Sequence, residues 1–255
     1  MSRNSVTDSW IARLRPNPSA SLRLLCFPWA GGGANVYWSL LEMLPAEIEL
    51  CAIRLPGREN RMSEEPMIDA AAITDAICEA LLDYDDKPYA FFGYSLGALI
   101  AISVVRELDR LGRSLPQHLF VSACRAPHTA RPLSPIHRLP DAEFIAALRG
   151  YEGVPEAVIE NQELMTLFLP ALRADFTLAE TILFDDCIPL DCGITAFGGT
   201  ADPYVDGSNL FLWQKHTSQH FALRLYEGKH FFLNEEKQSI VETVTQTLFA
   251  MPVPV

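Results

Sequence analysis

Nowhere in these 255 residues is there an unbroken apolar run of the about 18 residues that a membrane-spanning helix requires. The opening stretch, MSRNSVTDSWIARLRPNPSA, also lacks the apolar core of a secretory leader. A cytoplasmic protein with no membrane association is therefore expected. Basic residues are scarce: 20 Lys and Arg stand against 32 Asp and Glu, a net charge of −12. No positive stretch can offset phosphate repulsion, which argues against a nucleic-acid partner. Cysteine is sparse and scattered. Cys26, Cys51, Cys78 and Cys124 each lie inside an apolar stretch, as small core residues do. Cys187 and Cys192 are spaced C-x4-C, with no second pair and no histidine cluster at zinc-like spacing. Buried, reduced thiols and no metal site are expected. Repeats, low-complexity tracts and linker-like segments are missing as well.

What the chain does have is apolar material in alternation. Hydrophobic residues make up 49% of it, ample for a sizeable core, and its length suits one large α/β domain or two small ones. Apolar, β-branched segments at Leu22–Phe27, Ile48–Leu55, Tyr89–Phe92, His118–Cys124, Gly193–Phe197 and Phe221–Tyr226 read as strands. Between them run helical patterns. In IDAAAITDAICEALLD, Ile73, Ile77 and Leu81 recur at helical spacing, and EEKQSIVETVTQTLF near the end behaves likewise. Such alternation predicts a mostly parallel sheet with helices on both faces. From Arg125 to Asp191 no convincing strand occurs. That interval carries helical stretches at Asp141–Arg149 and Asn161–Phe184, the second interrupted by Pro170. Its apolar surplus fits either two further core helices or a helical lid. The position, after the strand that follows the motif described next, favours a lid.

That motif is GYSLGA. An apolar strand runs straight into an apolar helix, and Gly93 and Gly97 supply the room for a sharp turn with Ser95 at its tip. A G-x-S-x-G segment in this strand–turn–helix setting is a nucleophile elbow. A serine hydroxyl near neutral pH needs a base, and the base needs an orienting acid, in chain order Ser, acid, His. His230 alone follows an apolar strand through a glycine, in LRLYEGKHFF. His216 and His220 fall between a helix and a strand, at the opposite edge of the sheet. His128 and His137 precede any credible acid, and His118 reads as a cap or surface residue. For the acid, ITAFGGTADPYV places Asp202 on the loop after a strand, where Asp-Pro also marks ordinary turns. Asp206 is the second candidate and better suited to capping the next helix. The backbone N–H of Leu96, directly after the serine, is one candidate donor to a developing oxyanion. FPWAGGG supplies another, at Ala30; it lacks both the G-K-[ST] ending of a phosphate loop and the G-x-G-x-x-G spacing.

These segments together resemble the stand-alone type II thioesterases of nonribosomal-peptide and polyketide assembly lines, which are α/β-hydrolases. FPWAGGG, LPGRENR, GYSLGA, LPALRADFTLAE, GGTADPYV and GKHFFL follow the order of that family's motifs over nearly the whole chain. Two positions depart: Tyr94 stands where histidine is frequent, and Lys229 where a second glycine is frequent. The resemblance implies one α/β-hydrolase domain over residues 1–255 with a lid insertion at about 125–191. It also implies a serine hydrolase that removes acyl groups from the phosphopantetheine arm of acyl or peptidyl carrier proteins. Ser95, Asp202 and His230 fall on the family's triad, Ala30 and Leu96 on its oxyanion donors, and no cofactor is implied. A small-molecule carboxylesterase or lipase, or a catalytically silent binding module, remains an alternative on the same fold. Leu167, Phe168, Leu172 and Phe176 are expected to line an acyl chamber when the insertion is closed. Arg131 and Arg138, in a locally basic stretch of the insertion, are expected to dock the carrier in a transient contact with a monomeric enzyme.

Overall fold

A computed structural model describes residues 9–129 and 134–250. Its frame is a seven-stranded sheet: β1 (Ile11–Arg13), β2 (Leu22–Phe27), β3 (Ile48–Ile53), β4 (Tyr89–Tyr94), β5 (His118–Ser122), β6 (Gly193–Gly199) and β7 (Phe221–Tyr226). The strand order is β1-β3-β2-β4-β5-β6-β7. All neighbours pair in parallel except β1, which runs antiparallel to β3 at one edge. The helices are α1 (Ala70–Ala80), α2 (Leu96–Arg110), α3 (Asp141–Tyr151), α4 (Glu156–Ile159), α5 (Gln162–Thr181), α6 (Gly207–Phe211) and α7 (Lys237–Ala250).

Both faces of the sheet are covered, and the strands show why their sequences are largely apolar. Along β2, Leu25 and Phe27 join the core beneath α1 and α2, whereas Leu24 and Cys26 join a second core beneath α7. Because side chains alternate across a strand, a sheet buried on both sides calls for apolar residues at nearly every step. The buried exceptions Arg23 on β2 and Glu49 on β3 pair with each other at 2.9 Å. Helix α2 is the central crossover. Ten of its residues are buried, so it has almost no solvent face. Asp69 caps α1 by accepting the N–H groups of Ala71 and Ala72, and Asp206 caps α6 through Asn209.

The structure differs from the sequence reading in three places. Strand β1 was not expected, since three residues in an antiparallel edge pairing leave too short a pattern to register. Pro170 does not interrupt the second insertion helix: α5 runs through it for 20 residues. Pro170 is exposed there, so the bond it cannot donate is lost on the solvent side. His118 is neither cap nor surface residue. It opens β5 at 2% exposure, with Nε2 2.8 Å from Thr195 Oγ1, in the space left by Gly193 on the neighbouring strand. Burial pulls its pKa down to about 4.

Between β5 and β6 lie α3, α4 and α5, with no strand among the described residues. Phe144, Leu148, Ile159, Met165, Leu172 and Phe176 form a separate small apolar cluster there. Ala30, on the loop after β2, packs against both this cluster and the main core. No helix of the described residues is long and apolar enough to cross a membrane.

Candidate active site

The turn from β4 into α2 leaves no room for side chains beside Ser95. A Cβ on Gly97 would lie 1.9 Å from the Phe27 carbonyl oxygen, and one on Gly93 would lie 2.5 Å from Ala98 Cα. Ser95 itself has φ of 52°, a conformation that non-glycine residues seldom adopt. Two backbone bonds hold it. Its N–H donates to Ser122 O at 2.8 Å, and its carbonyl accepts from Ala98 N at 3.0 Å. Ala123, just past β5 in the wall of the same cavity, shares this conformation with φ of 50°.

His230 and Asp202 meet that hydroxyl from the loops after β7 and β6. His230 Nε2 lies 3.2 Å from Ser95 Oγ, and His230 Nδ1 lies 2.8 Å from Asp202 Oδ2. The Asp202 side chain is fully shielded from solvent. Its other oxygen accepts the backbone N–H groups of Tyr204 (2.8 Å) and Val205 (3.2 Å). A carboxylate so held keeps Nδ1 protonated and leaves Nε2 as the acceptor facing the serine. Asp206 takes no part, because its carboxylate is spent on Ser208 and Asn209 at the start of α6.

The two departures from the resembled pattern both support the histidine loop. Tyr94 is buried, and its hydroxyl donates to the carbonyl of His230. Its ring stacks on Phe231 with centroids 6.0 Å apart and meets Trp29 edge-on at 5.5 Å. Burial pushes the phenol pKa well up, so it stays a neutral donor. Lys229 reaches across to Glu152, just past α3, at 2.7 Å.

The loop after β2 has its backbone donors partly assigned. Gly31 N–H goes to Asp175 Oδ2 (2.7 Å), and Gly32 N–H goes to Trp29 O (2.9 Å). Ala30 lines the cavity beside Ser95, and so does Leu96, whose N–H stands in the first turn of α2. The loop is anchored from below. Arg58 donates to both oxygens of Asp175 (2.8 and 2.7 Å) and to Gly32 O (2.9 Å), and Asp175 on α5 is 1% exposed. Sequence reading missed this pair because its members are 117 positions apart.

A cavity of about 90 Å³ opens at Ser95 and His230. Its far wall comes from the insertion, through Leu148, Tyr151, Val154, Phe176 and Ala179; Tyr204 and Arg125 lie at its margins. Tyr204 stacks on Tyr151 at 4.7 Å and stands edge-on to His230 at 5.4 Å, and its hydroxyl donates to Gly150 O. Of the four expected chamber residues, Phe176 alone lines this cavity. Leu172 is buried in the insertion's own cluster against Gly31, Phe168 packs partly into that cluster, and Leu167 is 51% exposed. The expectation counted apolar residues on α5 without their phase: Leu167 sits about 140° round the helix from Leu172.

The expected basic docking stretch is also modified. Arg131 lies outside the described residues. Arg138 is exposed, with Nε 3.3 Å from His137 Nε2, whereas Arg149 pairs with Glu156 at 2.9 Å.

With this geometry in view, comparison with known proteins is direct. Residues 22–248 match the thioesterase domain model. The gramicidin S biosynthesis protein GrsT of Aneurinibacillus migulanus is 38% identical over 244 residues, 96% of this chain and 95% of that protein. A protein named linear gramicidin dehydrogenase LgrE, from Brevibacillus parabrevis, is 38% identical over 252 residues, covering 97% and 96%. Among solved structures, the type II thioesterase BorB from the borrelidin biosynthetic cluster superposes with a TM-score of 0.85 at 35% identity, over 94% of this chain and 98% of that one. This chain belongs to the thioesterase domain family.

Proposed function

We propose that this chain is a type II thioesterase, hydrolysing acyl thioesters on the phosphopantetheine arms of carrier proteins in a nonribosomal-peptide or polyketide assembly line. The observation that carries the reading is the unbroken contact from Asp202 through His230 to Ser95, opening into an apolar cavity walled by the insertion. The family match and the names of GrsT and BorB support the substrate class.

In this mechanism Ser95 Oγ attacks the thioester carbonyl while His230 Nε2 takes its proton. The Leu96 and Ala30 N–H groups stabilise the oxyanion, and the pantetheine thiol leaves with the proton from His230. Water activated by His230 then releases the acid from the acyl-serine. Side chains, backbone donors and water carry every step. The chain acts as one domain with residues 125–191 as its lid, Phe176 faces the acyl group, and Arg138 with Arg131 receives the carrier.

The name of LgrE points towards redox chemistry instead. Dinucleotide binding would set a pyrophosphate against the N–H groups of the glycine loop. Here Gly31 N–H is taken by the Asp175 carboxylate and Gly32 N–H by the Trp29 carbonyl, so neither is left to receive one. The test compares hydrolysis of an acyl-pantetheine thioester with its matched oxyester. Preferred turnover of the thioester is expected; preferred turnover of the oxyester would make the chain an esterase.

A further inference from the structure

We infer that His128, Cys187 and His216 form a binding site for a zinc-class divalent cation at the root of the insertion. Their ligand atoms all lie within 4.8 Å of one another. The three come from separate segments. His128 follows β5 where the insertion begins, Cys187 lies where it ends, and His216 closes the short helical turn after α6. His128 Nδ1 and His216 Nε2 face each other at 2.8 Å.

Two imidazoles and a thiol are the donor set that zinc-class ions prefer, with a fourth position left for water. At zinc–nitrogen distances of about 2.0–2.1 Å, tetrahedral ligands sit about 3.3 Å apart, so the two rings need to separate by only about half an ångström. Their present hydrogen bond is replaced rather than lost. Whichever ring holds the shared proton moves it to its outer nitrogen, and the Cys187 thiol releases its own proton to solvent as the sulfur coordinates.

The surroundings suit such an ion. Burial lowers the pKa of His128 and brings that of His216 down to about 4. Arg106, which adds positive charge near His216, is ion-paired with Asp186 next to Cys187. Cys187 is partly exposed, whereas the other five cysteines are buried. Burial pushes the Cys51 and Cys192 thiols up to about 12 and the Cys78 thiol up to about 11, which leaves them inert.

A bound ion would tie both ends of the insertion to the sheet domain. The neighbouring framework already links these parts: Phe184 N donates to Pro127 O at 3.2 Å. Trp213, packed on His216 at 5.6 Å, donates Nε1 to Cys124 O in the wall of the Ser95 cavity. The site thus lies one layer behind that wall without sharing a residue with it.

The test is titration of chelator-treated protein with Co²⁺. One equivalent is expected to give tetrahedral absorption bands and a thiolate-to-cobalt charge-transfer band, both erased by Zn²⁺. Calorimetry of Zn²⁺ in buffers of different ionisation enthalpy should show about one proton released per ion. Cys187→Ser should abolish the charge-transfer band and weaken binding at least tenfold, a lower bound of about the loss that outer-sphere partners cause. His128→Gln should weaken it comparably. In the unaltered protein, Zn²⁺ should protect Cys187 from alkylation by iodoacetamide, a readout independent of how the variants fold. Absence of the charge-transfer band, unchanged binding in Cys187→Ser, or unprotected alkylation would each reduce the cluster to a hydrogen-bonded histidine pair.

Discussion

The sheet-borne half of the site and the insertion above it are held by different kinds of contact. Around Ser95 the backbone is fixed from several sides at once: strand pairing, the close packing at Gly93 and Gly97, and the Ser122 carbonyl. The insertion has its own small apolar cluster and meets the sheet half through Leu178 and Ile182, which join the main core, and through a set of polar ties. These are Asp175 to Arg58 and Gly31, Glu152 to Lys229, and Gly150 to Tyr204. In the proposed mechanism, chemistry that requires sub-ångström placement sits on the first half, and the wall that would meet a variable acyl group sits on the second. On that proposal one frame could serve many acyl groups by altering the second half alone.

Variants of the two halves should separate cleanly. Asp202→Asn, in the sheet half, should lower kcat by about 10⁴-fold with little change in melting temperature, by analogy with serine-protease triads. A variant retaining most of its activity would reduce Asp202 to a turn residue. Arg58→Met attacks the main tie between the halves. It leaves the Asp175 carboxylate buried without its cation, which should cost about 3–5 kcal/mol in urea unfolding. The double variant Arg58→Met/Asp175→Leu should regain much of that stability yet keep a lowered kcat, because Gly31 has lost its anchor. Full recovery of activity would show that the tie does not position the loop.

Inside the insertion the expected effects are smaller and selective. Phe176→Trp should shorten the accepted acyl chain, each excluded methylene costing about 0.8 kcal/mol, or about fourfold in kcat/KM. Leu167→Trp, on the exposed side of α5, should leave the chain-length profile unchanged. Equal effects from both would remove Phe176 from the chamber wall. The smallest effect belongs to Lys229→Ala. Its ion pair with Glu152 is solvent-exposed and should contribute less than about 1 kcal/mol to stability. A larger loss would mean that the polar ties, rather than apolar packing, keep the insertion closed.

The same division explains what could be read from the sequence. The β2 and β4 segments and the GYSLG turn are legible because they are local: a strand buried on both faces is largely apolar, and a tight elbow demands glycine. His230 stands within hydrogen-bonding distance of both Ser95 and Asp202, at the strand ends where the chain order suggests looking. Features made by remote partners were not legible. Neither the Arg58–Asp175 pair nor the convergence of His128, Cys187 and His216 leaves a spacing to find, and Tyr94 became interpretable only once its hydroxyl was seen to meet the His230 carbonyl. The exposure of Leu167 is hidden for a related reason: apolar content on a helix says how much surface it buries, whereas only phase says where.

The most direct test of the account follows the intact mass of holo-carrier proteins loaded with acyl groups of different length, before and after exposure to the enzyme. Loss of the acyl mass with retention of the phosphopantetheine arm is predicted for the unaltered enzyme, and no loss above background for Ser95→Ala, whose fold should be unchanged. Acyl groups left in place by the unaltered enzyme, or removed equally fast by Ser95→Ala, would contradict it.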